Sequence, residues 1–169
     1  MSTVEPNQLI QSTMRVHGNA PVLLYGLLAA DSVLSKIQGI RIDLIISRKL
    51  IASTPLGGQG NVQIVVSQRR ASRFQWNTGG FAGQQHQTVR VDIIGRQIEN
   101  QVAGVSQVPT ARDIVDGIHR HIQEVMFNII FLGVGWLGHA ESDSGYPSAP
   151  VGRIAYNYLQ YDFFMSMGP

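Results

Sequence analysis

Thr88-Val-Arg-Val-Asp-Ile-Ile-Gly95 alternates apolar and polar residues with a period of two, the pattern of a half-buried strand. Pro109-Thr-Ala-Arg-Asp113 then opens a stretch whose apolar residues fall at Ile114, Val115, Ile118, Ile122, Val125, Met126 and Ile129. That spacing is one face of a helix. Arg153-Ile-Ala-Tyr-Asn-Tyr-Leu-Gln-Tyr-Asp-Phe-Phe164 closes the unit as a long aromatic strand. Strand, helix and strand thus follow one another, and the fold is legible where catalytic equipment is not.

The helix is the surest element. Thr110 is placed to cap it, with Asp113 at N3 as a shorter stand-in for the Glu of a capping box. Asp116–Arg120 and Arg120–Glu124 are spaced i,i+4 opposite the apolar stripe. Gly117 weakens a helix by ~1 kcal/mol relative to Ala, which reads either as close packing or as chance. In the last strand Ile154, Tyr156 and Tyr158 share one face, then Leu159, Tyr161 and Phe163 the other. Such a phase change predicts a bulge, or a strand covered on both sides.

Upstream, Asn19 and Pro21 suit a helix start, and Leu23, Leu24, Leu27, Leu28 and Leu34 form an apolar face ending at Gly39. Strands are expected at Ile40–Ser47 and Asn61–Gln68, separated by the loop Thr54-Pro-Leu-Gly-Gly-Gln-Gly60. Gln68 to Gln87 reads as a long irregular piece, a length usually functional or disordered inside a compact domain. It carries Arg69, Arg70, Arg73, Phe74, Trp76 and Phe81. A protruding hairpin that docks on a neighbour is the preferred reading over a floppy insertion. After Ile130 a short strand is expected at Phe131–Gly138, then a loop from His139 to Val151. Residues 1–18 read as an N-terminal arm and 19–169 as a single domain.

Composition narrows the function classes. Charged residues make up 14% of the 169 residues, against about 25% in an average domain. Interface cores are depleted in charge, so such a surface suits contact with other protein or is merely neutral. A net charge of +2 is too small to imply nucleic-acid binding. Without cysteine there is no disulfide, thiolate metal site or cysteine nucleophile. The first residues lack a signal-peptide pattern, and no apolar run reaches the ~20 residues of a membrane span; a soluble chain is expected.

Candidate chemistry is thin. His119 and His121, two apart on a helix, point in different directions and are expected to be surface residues rather than shared metal ligands. His139-Ala-Glu141 matches half of a zinc-deaminase signature, without the cysteines that complete it. No Gly-x-Ser-x-Gly elbow occurs, and the glycines of Gly57–Gly60 and Gly79–Gly83 have no P-loop lysine and read as turns. The arginines at 69, 70 and 73 beside Phe74 and Trp76 suit stacking on single-stranded nucleic acid or carboxylates on a partner protein.

In order, the pieces resemble the phage tail terminator (tail-completion, tail-to-head joining) proteins of long-tailed phages. The likeness runs from about Pro21 to Phe164. It rests on Ala29-Ala-Asp-Ser-Val-Leu34, Asn61-Val-Gln-Ile-Val-Val-Ser67, Val89-Arg-Val-Asp-Ile-Ile-Gly95, Ala111-Arg-Asp-Ile-Val-Asp-Gly-Ile118 and Tyr158-Leu-Gln-Tyr-Asp-Phe-Phe164. The long segment at 68–87 and the N-terminal arm depart from that pattern. The resemblance implies an α/β (α+β) fold, a mixed, mainly antiparallel sheet with two main helices packed on it. It also implies a structural virion protein rather than an enzyme, with no cofactor or metal, assembled in the host cytoplasm. Its partners would be itself, as a hexameric ring, the tail-tube protein and the head–tail connector or stopper, with phage DNA only passing through the lumen and no membrane. Arg69, Arg70, Arg73, Phe74, Trp76 and Phe81 are the candidate interface residues. The alternatives are another neck or tail component, such as a tail-tube or head-completion protein, and then a small enzyme or ligand-binding protein.

Overall fold

The computed structural model describes residues 20–37, 39–56, 62–75, 83–96, 111–131, 136–145 and 154–166. They form helix α1 (Ala20–Ala29), strands β1 (Ile40–Ile46), β2 (Lys49–Leu56), β3 (Val62–Gln75) and β4 (Gly83–Arg96), helix α2 (Ala111–Asn128), and strands β5 (Trp136–Gly145) and β6 (Ile154–Ser166). The strands make one sheet in the order β2-β1-β3-β4-β6-β5. Only the β1–β3 pair is parallel; the other neighbours are antiparallel. A mixed, mainly antiparallel sheet carrying two helices is therefore the architecture, as expected.

Both helices lie on one face of the sheet, because only that face is apolar. Ile42, Leu44, Ile64, Val66, Val89, Val91, Ile93, Leu159 and Phe163 point to it and form one buried cluster with Leu24 and Leu28 of α1 and Val115, Ile118, Ile122 and Met126 of α2. Gly95 lets α2 approach: a Cβ there would sit 2.5 Å from Val115 Cγ2. Gly117, by contrast, is exposed and a Cβ on it would meet nothing within 4 Å, so close packing is not its reason.

Several expected boundaries move, each for a local reason. Helix α1 stops at Ala29 rather than Gly39, since Asp31 Oδ1 accepts the Val33 and Leu34 N–H groups at 2.9 and 2.8 Å and opens a 3₁₀ turn, Leu34–Lys36. Gly39, at φ 78°, leads into β1 instead. The N–H of Ala20 is held by Gln87 Oε1 of β4 at 2.7 Å; Asn19, Thr110 and the arm at 1–18 fall outside the described residues. Strand β2 is the largest omission. It folds back on β1 through Ser47 and Arg48, at φ 52° and 63°, a two-residue hairpin normally signalled by Asn-Gly. Thr54–Leu56 thereby belong to a strand, not a loop, and Pro55 is tolerated because β2 is an edge.

Much of the segment expected to be irregular is paired strand. β3 and β4 continue from Arg70↔Thr88 to Gln75↔Gly83 after a bulge at Gln68/Arg70. The expected polar strand also shifts: β5 covers Trp136–Gly145, so His139 is on a strand rather than in a loop. β6 shows no phase change. Ala155, Asn157, Leu159, Tyr161, Phe163 and Met165 are all buried while the residues between them are not, and the β4 register is unbroken. The bulges lie in β5, at Trp136/Gly138 and Glu141/Asp143.

Candidate interaction surfaces

The face of the sheet without helices is built from charge and aromatic rings locked to one another. On β4, Arg90 Nε lies 2.9 Å from Asp92 Oδ1 and Arg90 Nη2 donates to Tyr156 OH at 2.7 Å. Tyr156 in turn donates to Asp92. The Arg90 guanidinium stands 4.1 Å above the Tyr158 ring, and Tyr158 OH donates to Asp143 of β5 at 3.1 Å. Burial alone would lower the Arg90 pKa, but its bonds to Tyr156 and Asp92 outweigh it and the net shift is upward. Burial, then the hydrogen bond to Asp92, raises Tyr156; for Tyr158 the bond to Asp143 leads. Further along, His86 stacks on Phe164 at 4.9 Å, and Asp162 accepts from Thr88 Oγ1 at 2.8 Å.

On β1, Asp43 repeats the principle. It is 4% exposed yet accepts from Ser53 Oγ at 2.6 Å, Gln63 Nε2 at 2.7 Å and Arg41 Nε at 3.2 Å. Charge-assisted bonds of this kind fix a carboxylate in place. The open face is thus a stiff polar platform.

The helix face ends differently at β5. A groove of about 550 Å³ lies between the end of α2 and β5, lined among others by Met126, Phe127, Ile130, Trp136, His139 and Tyr161. His139 Nε2 faces the Met126 carbonyl, and the buried atoms Trp136 Nε1, His139 Nδ1 and Tyr161 OH have no hydrogen-bond partner among the described residues. Burial, then the Glu141 charge, raises the Tyr161 hydroxyl pKa. Glu141 is exposed and accepts from Gln123 at 3.1 and 3.2 Å, while His139 turns to the end of α2.

Two groups of large apolar residues are exposed at opposite ends of the molecule. Phe127 is 89% exposed, Ile130 67% and Leu137 57%; at the β2 edge Leu50 is 62% and Ile51 57%. Between the β1–β2 turn and β3 runs a cleft of about 620 Å³ lined by Arg48, Ser67, Arg69 and Asp92.

Of the sequence-predicted interface residues, Arg69 is exposed on β3 and lines this cleft. Arg70, Arg73 and Phe74 have their backbone on β3, paired with β4, while their side chains fall outside the described residues. Trp76 and Phe81 lie outside them altogether. The expectation that His119 and His121 are surface residues is corrected. His119 is buried under α2, and burial lowers its pKa against the raising effect of Glu141 and Asp116. His121 is half-buried, 2.9 Å from Asp31. Asp116 does not turn to Arg120 but to Arg112 at 3.3 Å and Asn157 at 2.9 Å. Among the described residues no three His, Asp or Glu side chains gather as a metal site, and no helix is long and apolar enough to cross a membrane.

The fold defines the chain as a two-layer α/β protein in which, among the described residues, both helices cover the same face of the sheet. No known family model matches the sequence, and no curated protein matches it as a relative.

Proposed function

We propose that the chain is a structural subunit that assembles into a ring, six-membered by the resemblance to tail terminators, capping a phage tail tube and joining it to the head connector. The observation that carries this reading is the pairing of few charges with large exposed apolar residues at both ends of the sheet. Exposed Phe, Ile and Leu gathered in patches mark contact sites rather than finished surface. The stiff polar face suits a wall that neighbours and passing nucleic acid touch without entering, and Arg69 with its β3 neighbours offers contacts to the next ring or subunit. The partners in this reading are other copies, the tail-tube protein and the connector or stopper, within the virion.

Two measurements test it. Light scattering on the purified protein should find a species near six times 18.5 kDa, not the open-ended polymers of a tube protein. Virions assembled without the protein should show overlong tails or unjoined heads under the electron microscope; normal tails would end the proposal.

A further inference from the structure

Resting on the ring reading, the structure points further to which surfaces meet: we infer that the β2 edge of one copy joins the β5 edge of the next, with Lys49 facing Glu141 and Asp143 at equal height along the strands and Arg48 in the turn beside it. A single row of the sheet links the two edges. Leu50 pairs with Ile45, Ile45 with Ser67, Ser67 with Arg90, Arg90 with Gln160, and Gln160 with Asp143. Straight across six strands, the row runs from one edge to the other. Lys49 neighbours Leu50 at its start, and Glu141 lies just past a bulge from Asp143 at its end.

The four charged residues are exposed, and among the described residues none has an ion-pair partner. Lys49 at one edge therefore stands level with Glu141 and Asp143 at the other, and Arg48 adds a second cation in the adjoining turn. Arg48 is held at φ 63° in a turn position that suits glycine or asparagine. A left-handed conformation costs roughly 1–2 kcal/mol for such a residue, as it does for Ser47 in the same turn. Opposed charges across an interface fix register and suppress wrong pairings.

Equal height is what a closed ring with strands along its axis requires. A head-to-tail contact with rotation alone closes into a ring, whereas one with a rise continues as a helix. Matching Lys49 to Glu141 and Asp143 needs no displacement along the strands. Both edges carry bulges, which discourage a full-length ladder between copies; side chains make the contact. β3 pairs with β1 only as far as Ser67, leaving Arg69 to Gln75 with a strand on one side only among the described residues. Leu137 lies above the charged row, level with that stretch of β3.

The chain has no cysteine, so engineered thiols report directly. Leu50→Cys and Ser142→Cys proteins, mixed and treated with a short thiol-to-thiol cross-linker, should give a covalent dimer that neither gives alone. Both substitutions in one chain should give a ladder of bands ending at six. Leu50→Cys with Leu137→Cys, offset by about four residues or roughly 13 Å along the strands, should link poorly. A dimer of Leu50→Cys alone, or preferred linking to Leu137→Cys, would overturn the inference. Reversing one edge (Arg48→Glu with Lys49→Glu) should abolish the ladder, and adding Glu141→Lys with Asp143→Lys should restore it. A wild-type mass near six copies without the cross-link leaves the ring and removes this interface. A ladder without a closed six-membered species keeps the interface and removes the six-fold ring. A monomer with no cross-link removes both.

Discussion

The two faces of the sheet are held by different forces, although they are made by alternate residues of the same strands. On the helix side, Val89, Val91 and Ile93 of β4 are fully buried and meet Ile118 and Ile122 from α2 in one apolar cluster. On the other, Arg90 and Asp92 are half-exposed and secured by hydrogen bonds to Tyr156 and by the Tyr158 ring. Burying apolar area contributes about 25 cal/mol per Å² over the whole cluster, while a hydrogen bond to a charged group contributes about 1.5–3 kcal/mol net. Stability therefore sits on the covered face. The open one contributes shape and stiffness.

The difference can be broken most severely at Ile118. It is 2% exposed against the sheet, and an aspartate there would bury an unpaired charge, a penalty of several kcal/mol even after relaxation. Ile118→Asp should abolish the cooperative unfolding transition seen by circular dichroism. A smaller effect is expected from Tyr156→Phe, which leaves the ring but removes the hydroxyl between Arg90 and Asp92. A loss of about 1.5–3 kcal/mol in urea denaturation is expected, with assembly unchanged. A loss as large as that of a core truncation, about 3–5 kcal/mol, would mean the open face carries the fold after all.

The gentlest test uses pH. His119, lying under α2 with Glu141, Asp116, Arg112 and Arg120 around it, has its pKa lowered by burial. In the unfolded chain it titrates near 6.5. The unfolded state therefore binds more protons between the folded value and about 6.5, and stability falls as pH drops through that window. His119→Gln should flatten this acid slope, measured relative to each protein's own stability at pH 8. If the slope persists, other groups carry it.

How much of this was legible in the sequence depended on whether a strand had apolar neighbours on both sides. Central strands β1, β3 and β4 and helix α2 announce themselves, because a face buried against helices imposes period two or period 3.6 on the chain. The edge strands do not. β5 reads Trp-Leu-Gly-His-Ala-Glu-Ser-Asp-Ser-Gly, mostly polar, since only one side of it is paired and little of it is covered. β2 was hidden by a Ser-Arg turn that breaks the usual turn chemistry and by Pro55. The tyrosines of the open face were legible as residues but not as a network: their roles appear once β6 is in register with β4. The row linking Lys49 and Leu50 to Glu141 and Asp143 had no sequence signal, being assembled from five strand pairings.

By itself, the order of residues determined the apolar periodicities, hence the helix α2, the central strands and the composition of a low-charge surface. Those are local properties, written in the spacing of side chains along one segment. Only the tertiary structure decided which strands became edges, where His119 and Asp43 were buried, and that Lys49 shares one height with the carboxylates of Glu141 and Asp143 far along the chain. Register between distant strands is set by the whole packed sheet, and no single segment contains it.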